Sequence, residues 1–384
     1  MRARVLCAAL CCALLLGAGT TEPPSAPLRD VDLPRVLAHG PWPQEPTRDP
    51  SNRVSGQANA IALGDQLFND VRLSRDGTRS CASCHQRERG FSDGLPRGNG
   101  IQPGERNTPS LLDVGTQRWF GWDGANDNLW AQSLRPLLDA REMGGTLHSV
   151  AHTLRSHADL RDSYRRVFGG APGRNDERVV VNLAKALAAY QETLRSRRTP
   201  FDQFRDALQR GDHEAAKNYP VAAQRGLALF IGKGRCQLCH SGPSFSNGEF
   251  HDIGIPFFVE RGRVDPGRHG GIKALQASRY NLLGPFNDDP TRRSATSTRH
   301  VRLEHRHYGE FKVPSLRNLA HSAPYMHNGS LASLRDVVKH YSELNEDRLH
   351  ADGERLLVPL RLSPAETDDL LAFLDSLNES GASR

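Results

Sequence analysis

The motifs Cys81-Ala82-Ser83-Cys84-His85 and Cys236-Gln237-Leu238-Cys239-His240 decide the fold of this chain of 384 residues. Both read Cys-x-x-Cys-His (CxxCH), which is the attachment sequence of c-type haem. Two thiols on one short turn reach the two vinyl groups of a porphyrin, and the imidazole that follows becomes an axial ligand of the iron. We therefore predict two covalent c-type haems, one held by Cys81, Cys84 and His85 and the other by Cys236, Cys239 and His240.

Zinc sites and redox dithiols are the alternatives for such cysteine pairs. A zinc site of the Cys₂His₂ type needs four ligands, and no further cysteine cluster follows either motif. A thioredoxin-like motif does not require a histidine after its second cysteine. The chain has 7 cysteines, and the three outside the motifs lie within its first dozen residues. If those residues are removed, no cysteine remains for a disulfide.

The first twenty residues have the pattern of a secretory signal peptide. Arg2 and Arg4 precede an apolar run over 5–16, and small residues follow at 17–19. The run is too short to span a bilayer, and no other apolar run is long enough, so we expect no membrane span. A lipid anchor on an early cysteine is weakly supported because no good small-residue lipobox precedes one. We expect export to the periplasm, with residues 1–20 as the signal peptide.

The chain carries a net charge of +6 and many arginines. One interpretation, which we favour, is a solvated surface with arginines pairing to haem propionates. The other is a basic patch for an acidic redox partner. No basic motif interleaved with aromatic residues is present, so we expect no nucleic-acid binding.

Length and spacing predict a mainly α protein with two cytochrome c-like haem domains and long irregular loops. Two CxxCH motifs far apart in a chain of this size favour one domain around each. The predicted units are a signal peptide (1–20), an unstructured Pro-rich leader (21–50), an N-terminal haem domain (51–212) and a C-terminal haem domain (213–384).

Apolar spacing predicts a helix before each motif and another that closes each domain. The residues that set this spacing are Ala58, Ile61, Ala62 and Leu67; Val180, Leu183, Ala184, Leu187 and Tyr190; Ala222, Gly226, Leu229 and Phe230; and Leu370, Leu371, Phe373, Leu374 and Leu377. Ser363-Pro364-Ala365-Glu366 supplies an N-cap, a proline at the first helical position and a capping-box glutamate for the last helix. Residues 247–310 lack a period and are predicted to be long loops with a short ribbon near 250–255.

Further motifs resemble the bacterial di-haem cytochrome c peroxidase and MauG family over roughly residues 55–380. They are Leu63-Gly64-Asp65-Gln66-Leu67-Phe68, Arg106-Asn107-Thr108-Pro109-Ser110-Leu111, Gly121-Trp122-Asp123-Gly124, Phe311-Lys312-Val313-Pro314-Ser315-Leu316-Arg317-Asn318 and Ala323-Pro324-Tyr325-Met326-His327-Asn328-Gly329. The resemblance implies an enzyme that reacts with hydrogen peroxide at the N-terminal haem and draws electrons through the C-terminal haem.

The resemblance also implies roles for single residues near the first haem. His85 would be the proximal ligand, Gln132 and Glu142 would stand on the opposite side, and Trp122 would pass electrons between the haems. A carboxylate within hydrogen-bond reach can move a proton from one peroxide oxygen to the other, and an amide beside it can orient the peroxide. Without the resemblance, Gln132 and Glu142 would count as ordinary helix-surface residues and Trp122 as a core residue.

At the second haem the family pattern separates two branches. The peroxidases have methionine as the ligand opposite the proximal histidine, whereas this chain has Tyr341 at that position, as MauG-type members do. Tyr341 lies on the apolar face of a predicted helix, and the neighbouring His340 points elsewhere. A phenolate favours higher iron oxidation states than a thioether does. In addition, the loop 93–106 lacks the histidine that blocks the first haem in many of these peroxidases.

A calcium ion lies between the haems in this family, and the matching residues are Asn107, Ser322 and Pro324. Three hypotheses follow for the chain. It is a MauG-like enzyme that oxidises a protein or another donor, or a conventional cytochrome c peroxidase that takes electrons from a small cytochrome c. The third is a non-enzymatic di-haem electron carrier.

Overall fold

The structure is a computed structural model that describes residues 28–45, 47–256, 258–260 and 262–379. The predicted signal peptide lies outside the described residues. Within them, no helix combines the length and the apolar character needed to cross a membrane.

The described residues are mainly helical, as predicted. The α-helices are α1 (Leu33–Leu37), α2 (Ala58–Phe68), α3 (Cys81–Cys84), α4 (Leu129–Leu138), α5 (Leu147–Ser156), α6 (Ala158–Phe168), α7 (Asp176–Gln191), α8 (Pro200–Gln209), α9 (His213–Ala216), α10 (Val221–Ile231), α11 (Gly267–Ala277), α12 (Thr296–His300), α13 (Leu334–Ser342) and α14 (Pro364–Asp375). Short 3₁₀ helices lie at Asp30–Asp32, Val71–Leu73, Arg87–Arg89, Val114–Thr116, Cys236–Leu238, Arg293–Ala295, His305–His307, Leu319–His321 and Glu346–Arg348.

Two antiparallel ribbons complete the described elements. They are formed by β1 (Phe250–His251) with β4 (Phe311–Lys312) and by β2 (Phe258–Glu260) with β3 (Arg263–Val264). In the first ribbon Phe250 pairs with Lys312 and His251 pairs with Phe311.

We call residues 51–212 the first half of the protein and residues 213–379 the second half. The core of the first half forms where α2 crosses α7. A Cβ atom at Gly64 of α2 would lie 2.2 Å from the Ala186 carbonyl oxygen, so the two helices approach more closely than any side chain would permit. Helices α4 and α5 pack on the other faces of α7 and enclose the same apolar cluster. Almost the whole length of α7 is buried, because three helices cover it.

The core of the second half repeats this crossing with α10 and α14. A Cβ atom at Gly226 of α10 would lie 1.9 Å from the Asp369 carbonyl oxygen. Helix α14 begins as predicted, with the Ser363 side chain accepting from the Glu366 backbone N–H at 3.2 Å. The four helices expected from apolar spacing are therefore present as α2, α7, α10 and α14.

Three features differ from the sequence-based expectations. The region 21–50 was expected to be unstructured, yet its described part forms α1 and buries Val36 in the second core. Helix α8, placed in the N-terminal domain, also packs in the second core through Phe201 and Phe204. The segment 247–310 contains not only the expected ribbon strand but also α11 and α12. In each case contacts made far along the chain stabilise elements whose local sequence carries no clear period.

Candidate functional site

The first CxxCH motif forms one helical turn that presents a histidine to a cavity. The Ser80 backbone N–H donates to the Ser83 hydroxyl at 3.0 Å and starts α3. Nδ1 of His85 lies 2.8 Å from the Phe91 carbonyl oxygen. A carbonyl only accepts, so Nδ1 carries the proton and the lone pair of Nε2 is available to a metal.

The second motif reaches the same arrangement through a 3₁₀ turn. Nδ1 of His240 donates to the Phe245 carbonyl oxygen at 3.0 Å. Both acceptor residues have left-handed backbones, with φ 61° at Phe91 and 52° at Phe245. Burial lowers the pKa of His85 and lowers the pKa of His240 to about 4, so both imidazoles are neutral at neutral pH, which is the form that binds a metal.

One continuous cavity of about 830 Å³ joins the two motifs. Its wall contains all four motif cysteines and both motif histidines. These four cysteines form no disulfide with one another, and burial raises the pKa of the Cys81 and Cys236 thiols to about 12. Paired thiols and a neutral imidazole at each end of one large cavity fit two haems, each held by its own CxxCH motif.

Gln132 and Glu142 line this cavity together with the first motif. Gln132 lies on α4, which begins after Asn128, whose side chain accepts from the Ala131 backbone N–H at 2.7 Å. The Gln132 Oε1 accepts from Asn126 Nδ2 at 2.9 Å. Since that oxygen is engaged, the amide nitrogen is the group that can donate to a ligand in the cavity.

Glu142 lies in the turn that follows α4. Its carbonyl accepts from the Ile101 backbone N–H at 2.9 Å, and Gly100 permits the close approach because a Cβ there would lie 2.6 Å from the Glu142 Cα. Burial raises the pKa of Glu142, with Asp139 adding to the effect and Arg135 opposing it. A carboxyl group with a raised pKa takes up and releases protons closer to neutral pH.

Trp122 lines the same cavity as the two motifs. Its indole Nε1 donates to the Asn107 carbonyl at 2.9 Å, and its own carbonyl accepts from the Lys312 N–H at 2.8 Å. The next residue, Asp123, lies 2.6 Å from Arg106, which also binds Asp265 at 2.7 Å. The loop that carries Trp122 is thus fixed by residues from both halves.

Sequence reasoning missed the ion-pair cluster around Arg106. Although Arg106 and Asp123 belong to quoted motifs, Asp265 lies in the segment expected to be loops, so no spacing signal indicated the contact. Burial opposes ionisation of Asp123, but Arg106 and Arg135 overcome it and lower the pKa of this carboxyl group. The cluster places fixed charges beside the cavity.

Tyr341 lies on α13 and lines the cavity with the second motif. Burial raises the pKa of its phenol, and the nearby thiols Cys236 and Cys239 raise it further. The neighbouring His340 directs Nε2 to the Ile253 carbonyl at 2.7 Å, which confirms that it points elsewhere. Tyr341 is therefore a protein oxygen donor near His240 in this cavity.

Asn107, Ser322 and Pro324 also line the cavity. The Asn107 side-chain nitrogen donates to the Leu95 carbonyl at 2.8 Å, which leaves Oδ1 for another partner. An amide oxygen and two backbone carbonyls suit a hard cation such as calcium. These residues fit the predicted calcium ligands, whose role stays a prediction.

Comparison with known proteins gives the family. The model of the family described as "Di-haem cytochrome c peroxidase" matches residues 58–210. The methylamine utilization protein MauG of Methylorubrum extorquens is 36% identical over 324 residues, which are 84% of this chain and 79% of that protein. The cytochrome-c peroxidase IdrP1 of Pseudomonas sp. strain SCT is 32% identical over 370 residues, covering 94% of this chain and 86% of that protein.

A solved structure agrees with this result. A MauG-like protein associated with microbial copper homeostasis superposes with a TM-score of 0.68 at 26% identity, covering 89% of this chain and 95% of the other. The predicted fold class, mainly α with cytochrome c-like domains, is confirmed. The chain belongs to the di-haem cytochrome c peroxidase and MauG family, and it is a haem-dependent oxidoreductase of the peroxidase type.

Proposed function

We propose that this enzyme acts in the MauG-like manner, reacting with hydrogen peroxide beside the first CxxCH motif and taking electrons from a protein or another donor through the second. The observation that carries the proposal is Tyr341, an oxygen donor that shares the cavity wall with His240. The family relationship does not choose the mode, because similar relatives carry both the MauG name and the cytochrome-c peroxidase name.

Peroxide cleavage needs one proton to move between the two oxygens. A haem held at each CxxCH motif would supply the redox centre for this chemistry. Glu142 accepts the proton from one peroxide oxygen and returns it to the oxygen that leaves as water. The Gln132 amide nitrogen donates to peroxide and orients it toward the carboxylate. Their shared cavity wall with Cys81, Cys84 and His85 supports these roles.

Trp122 is the proposed aromatic bridge for electrons between the two haem sites. Its position on the cavity wall and its two backbone hydrogen bonds support a fixed orientation. A bound calcium ion at Asn107, Ser322 and Pro324 would stiffen the same region, since Trp122 donates to the Asn107 carbonyl. We expect chelation with EGTA, followed by metal analysis, to remove about one calcium per chain and to slow electron exchange between the haems; an unchanged exchange rate would argue against this site.

Substitution of Tyr341 tests the proposed mode. In the purified ferric protein, Tyr341→Phe should alter the low-spin electron paramagnetic resonance signal of the second haem and leave the high-spin signal of the first unchanged. Tyr325→Phe is a matched control, because Tyr325 lines the same cavity while its hydroxyl donates to the Leu319 carbonyl. If Tyr341→Phe leaves both signals unchanged, Tyr341 is not a ligand.

A conventional cytochrome c peroxidase is the second candidate, favoured by the 94% of the chain that aligns with IdrP1. The sequence of loop 93–106 distinguishes the two, because it contains no histidine to block the first haem. We therefore expect the fully oxidised protein to react with peroxide without prior reduction. Stopped-flow spectra that stay unchanged until one electron is added would favour the conventional enzyme.

We propose that the protein acts in the periplasm after removal of residues 1–20. The early basic residues and apolar run support this location. Cell fractionation should recover the haem-containing protein with periplasmic markers and show a mature N-terminus near residue 21. Recovery of an unprocessed protein with the cytoplasmic fraction would contradict it. The domain limits at 212 and 213 remain a proposal, with α8 as the exception noted above.

A further inference from the structure

The N-terminal segment, residues 28–45, packs mainly in the second core, while its Gln44 carbonyl accepts a hydrogen bond from the Arg195 guanidinium of the first half. Val36 is 1% exposed and belongs to the second core. The Leu37 carbonyl accepts two hydrogen bonds from the Arg205 guanidinium, at 3.0 and 3.2 Å. These contacts fix the course of the segment just before two aromatic side chains, His39 and Trp42.

His39 contacts the loop that follows the second CxxCH motif at two places. Its ring stacks on the Phe245 ring, with centroids 4.5 Å apart and planes within 7°. Its Nδ1 donates to the Gly242 carbonyl at 3.1 Å. Burial lowers the pKa of His39 to about 4, so the ring stays neutral and its Nδ1 proton stays available to Gly242.

Phe245 is the residue whose carbonyl orients the proximal histidine of the second motif. That carbonyl accepts from His240 Nδ1 at 3.0 Å, while Phe245 holds a left-handed backbone with φ 52°. Such a conformation is unfavourable for a non-glycine residue and persists only where surrounding contacts impose it. His39 supplies two of those contacts.

Trp42 packs on Arg317, a second side chain that holds the same loop. The Arg317 guanidinium lies 4.0 Å from the centre of the Trp42 ring and donates from Nε to the Pro243 carbonyl at 2.7 Å. Asp202 holds the other end of Arg317 through two bonds of 2.9 Å, and both side chains are about 1% exposed. Consecutive carbonyls at 242 and 243 are therefore held by His39 and by an arginine that Trp42 shields.

The corresponding loop of the first motif is held in another way. The Ser110 hydroxyl donates to the Gly90 carbonyl at 2.5 Å, and the Phe91 ring packs edge-on against Phe68. These partners come from the first half itself. The support from the N-terminal segment is thus specific to the second site.

We propose that the N-terminal segment is an outer support of the second haem site, with His39 as a positioning residue that sets the hydrogen bond between His240 and Phe245. The proposal rests on the proposed function only in taking His240 as the iron ligand. A hydrogen bond from Nδ1 to a carbonyl makes an imidazole a stronger donor to the metal and favours the oxidised iron. His39 therefore keeps the reduction potential of the second haem low.

The potentials of both haems, measured by spectroelectrochemistry on the full holo-protein, test this inference. His39→Ala should raise the potential of the second haem, with about a tenfold change in its oxidised-to-reduced ratio at a fixed potential, which is 59 mV for one electron. The first haem should keep its potential. His39→Asn, which keeps a donor near the position of Nδ1, should restore part of the shift.

His157→Ala is the matched control. Nδ1 of His157 also bonds a carbonyl, that of Thr153 at 2.9 Å, but this bond lies at the end of α5 in the first half. This variant should change neither potential. Electron paramagnetic resonance provides a second readout, because His39→Ala should shift the low-spin signal of the second haem alone.

The outcomes separate the inference from the proposed function. If His39→Ala keeps two covalent haems and both potentials stay unchanged, the positioning role is wrong and the proposed function stands. If the wild-type protein carries fewer than two haems, the inference about His39 and the proposed function are both wrong. If His39→Ala does not fold, Trp42→Phe takes its place: a smaller rise in the potential of the second haem supports the inference, and no change overturns it.

Discussion

The two CxxCH sites are alike in the motif and its histidine contact, and they differ in the other side chains that line the cavity. Each motif ends in a histidine whose Nδ1 donates to the carbonyl of a phenylalanine with a left-handed backbone. Each also follows a helix that crosses a later helix at a glycine, Gly64 or Gly226. The other side chains that line the cavity differ, because Gln132 and Glu142 are proposed to act at the first site and Tyr341 at the second. The motif and its histidine contact are therefore repeated, whereas the residues proposed to meet the reactant are not.

Removal of one cysteine pair gives the largest expected effect. Cys236→Ala with Cys239→Ala should abolish covalent attachment at the second site and leave the first haem in place, since each motif holds its own porphyrin. Mass spectrometry and the pyridine haemochrome assay should find two covalent haems in the wild type and one in the variant. Loss of both haems from the variant would show that the two sites do not assemble independently.

Substitution of Glu142 tests the proposed proton transfer at the first site. Glu142→Gln should slow the reaction of the protein with peroxide by roughly 10²- to 10⁴-fold, the usual contribution of a general acid–base group. Stopped-flow absorbance gives the rate. The spectrum of the second haem should not change. Glu192→Gln is the control, because Glu192 is a half-buried acid of the same half that does not line the cavity; equal slowing by both variants would remove Glu142 from the mechanism.

Gln132→Ala should have a smaller effect in the same assay. The amide orients peroxide and transfers no proton, so water can replace part of its function. We expect a slowing well below that of Glu142→Gln, with Asn126 losing its hydrogen-bond acceptor. Asn126→Ala separates the loss of the Gln132 amide from the loss of its hydrogen bond to Asn126, since this variant breaks the bond but keeps the amide. A Gln132→Ala rate lower than that of Glu142→Gln would reverse the assigned roles.

The smallest expected effect concerns stability in the first half. Burial raises the pKa of Glu192 from its ordinary value of 4.5 to about 7, and one of its carboxylate oxygens has no hydrogen-bond partner. Between pH 4.5 and 7 the folded state therefore binds more protons than the unfolded state. The contribution of this group to the free energy of unfolding thus falls as pH rises. Glu192→Gln should raise the melting temperature by a few degrees at pH 8 and change it little at pH 4.5.

The exposed Glu88 provides the control for this pH dependence, since Glu88→Gln should leave the melting profile unchanged at both pH values. The second core offers a contrast, because the buried side chains of Arg317 and Asp202, each about 1% exposed, are paired with each other. A melting difference for Glu192→Gln that does not depend on pH would show that Glu192 keeps its charge in the folded protein.

The sequence predicted the parts of the molecule that short segments determine. The CxxCH motifs and the cap at Ser363 are local, so their spacing was sufficient. The predicted helix that carries Tyr341 is present as α13, while the role of Tyr341 as a ligand stays a prediction. The structure of the described part of the leader was not predicted, because His39 and Trp42 contact Gly242 and Arg317, which lie 203 and 275 positions further along the chain. The same reason explains Asp265, whose partner Arg106 lies in the other half.

Trp122 shows how the two halves depend on each other. Trp122 belongs to the first half, yet its backbone carbonyl accepts from the Lys312 N–H of the second half. The Gly124 carbonyl, two residues later, accepts from Arg268 at 2.8 Å. The halves have separate cores, but the hydrogen bonds that hold the Trp122 loop come from both of them. A protease cut near residue 212 would therefore leave two fragments that remain associated, and neither fragment alone would be a working single-haem enzyme.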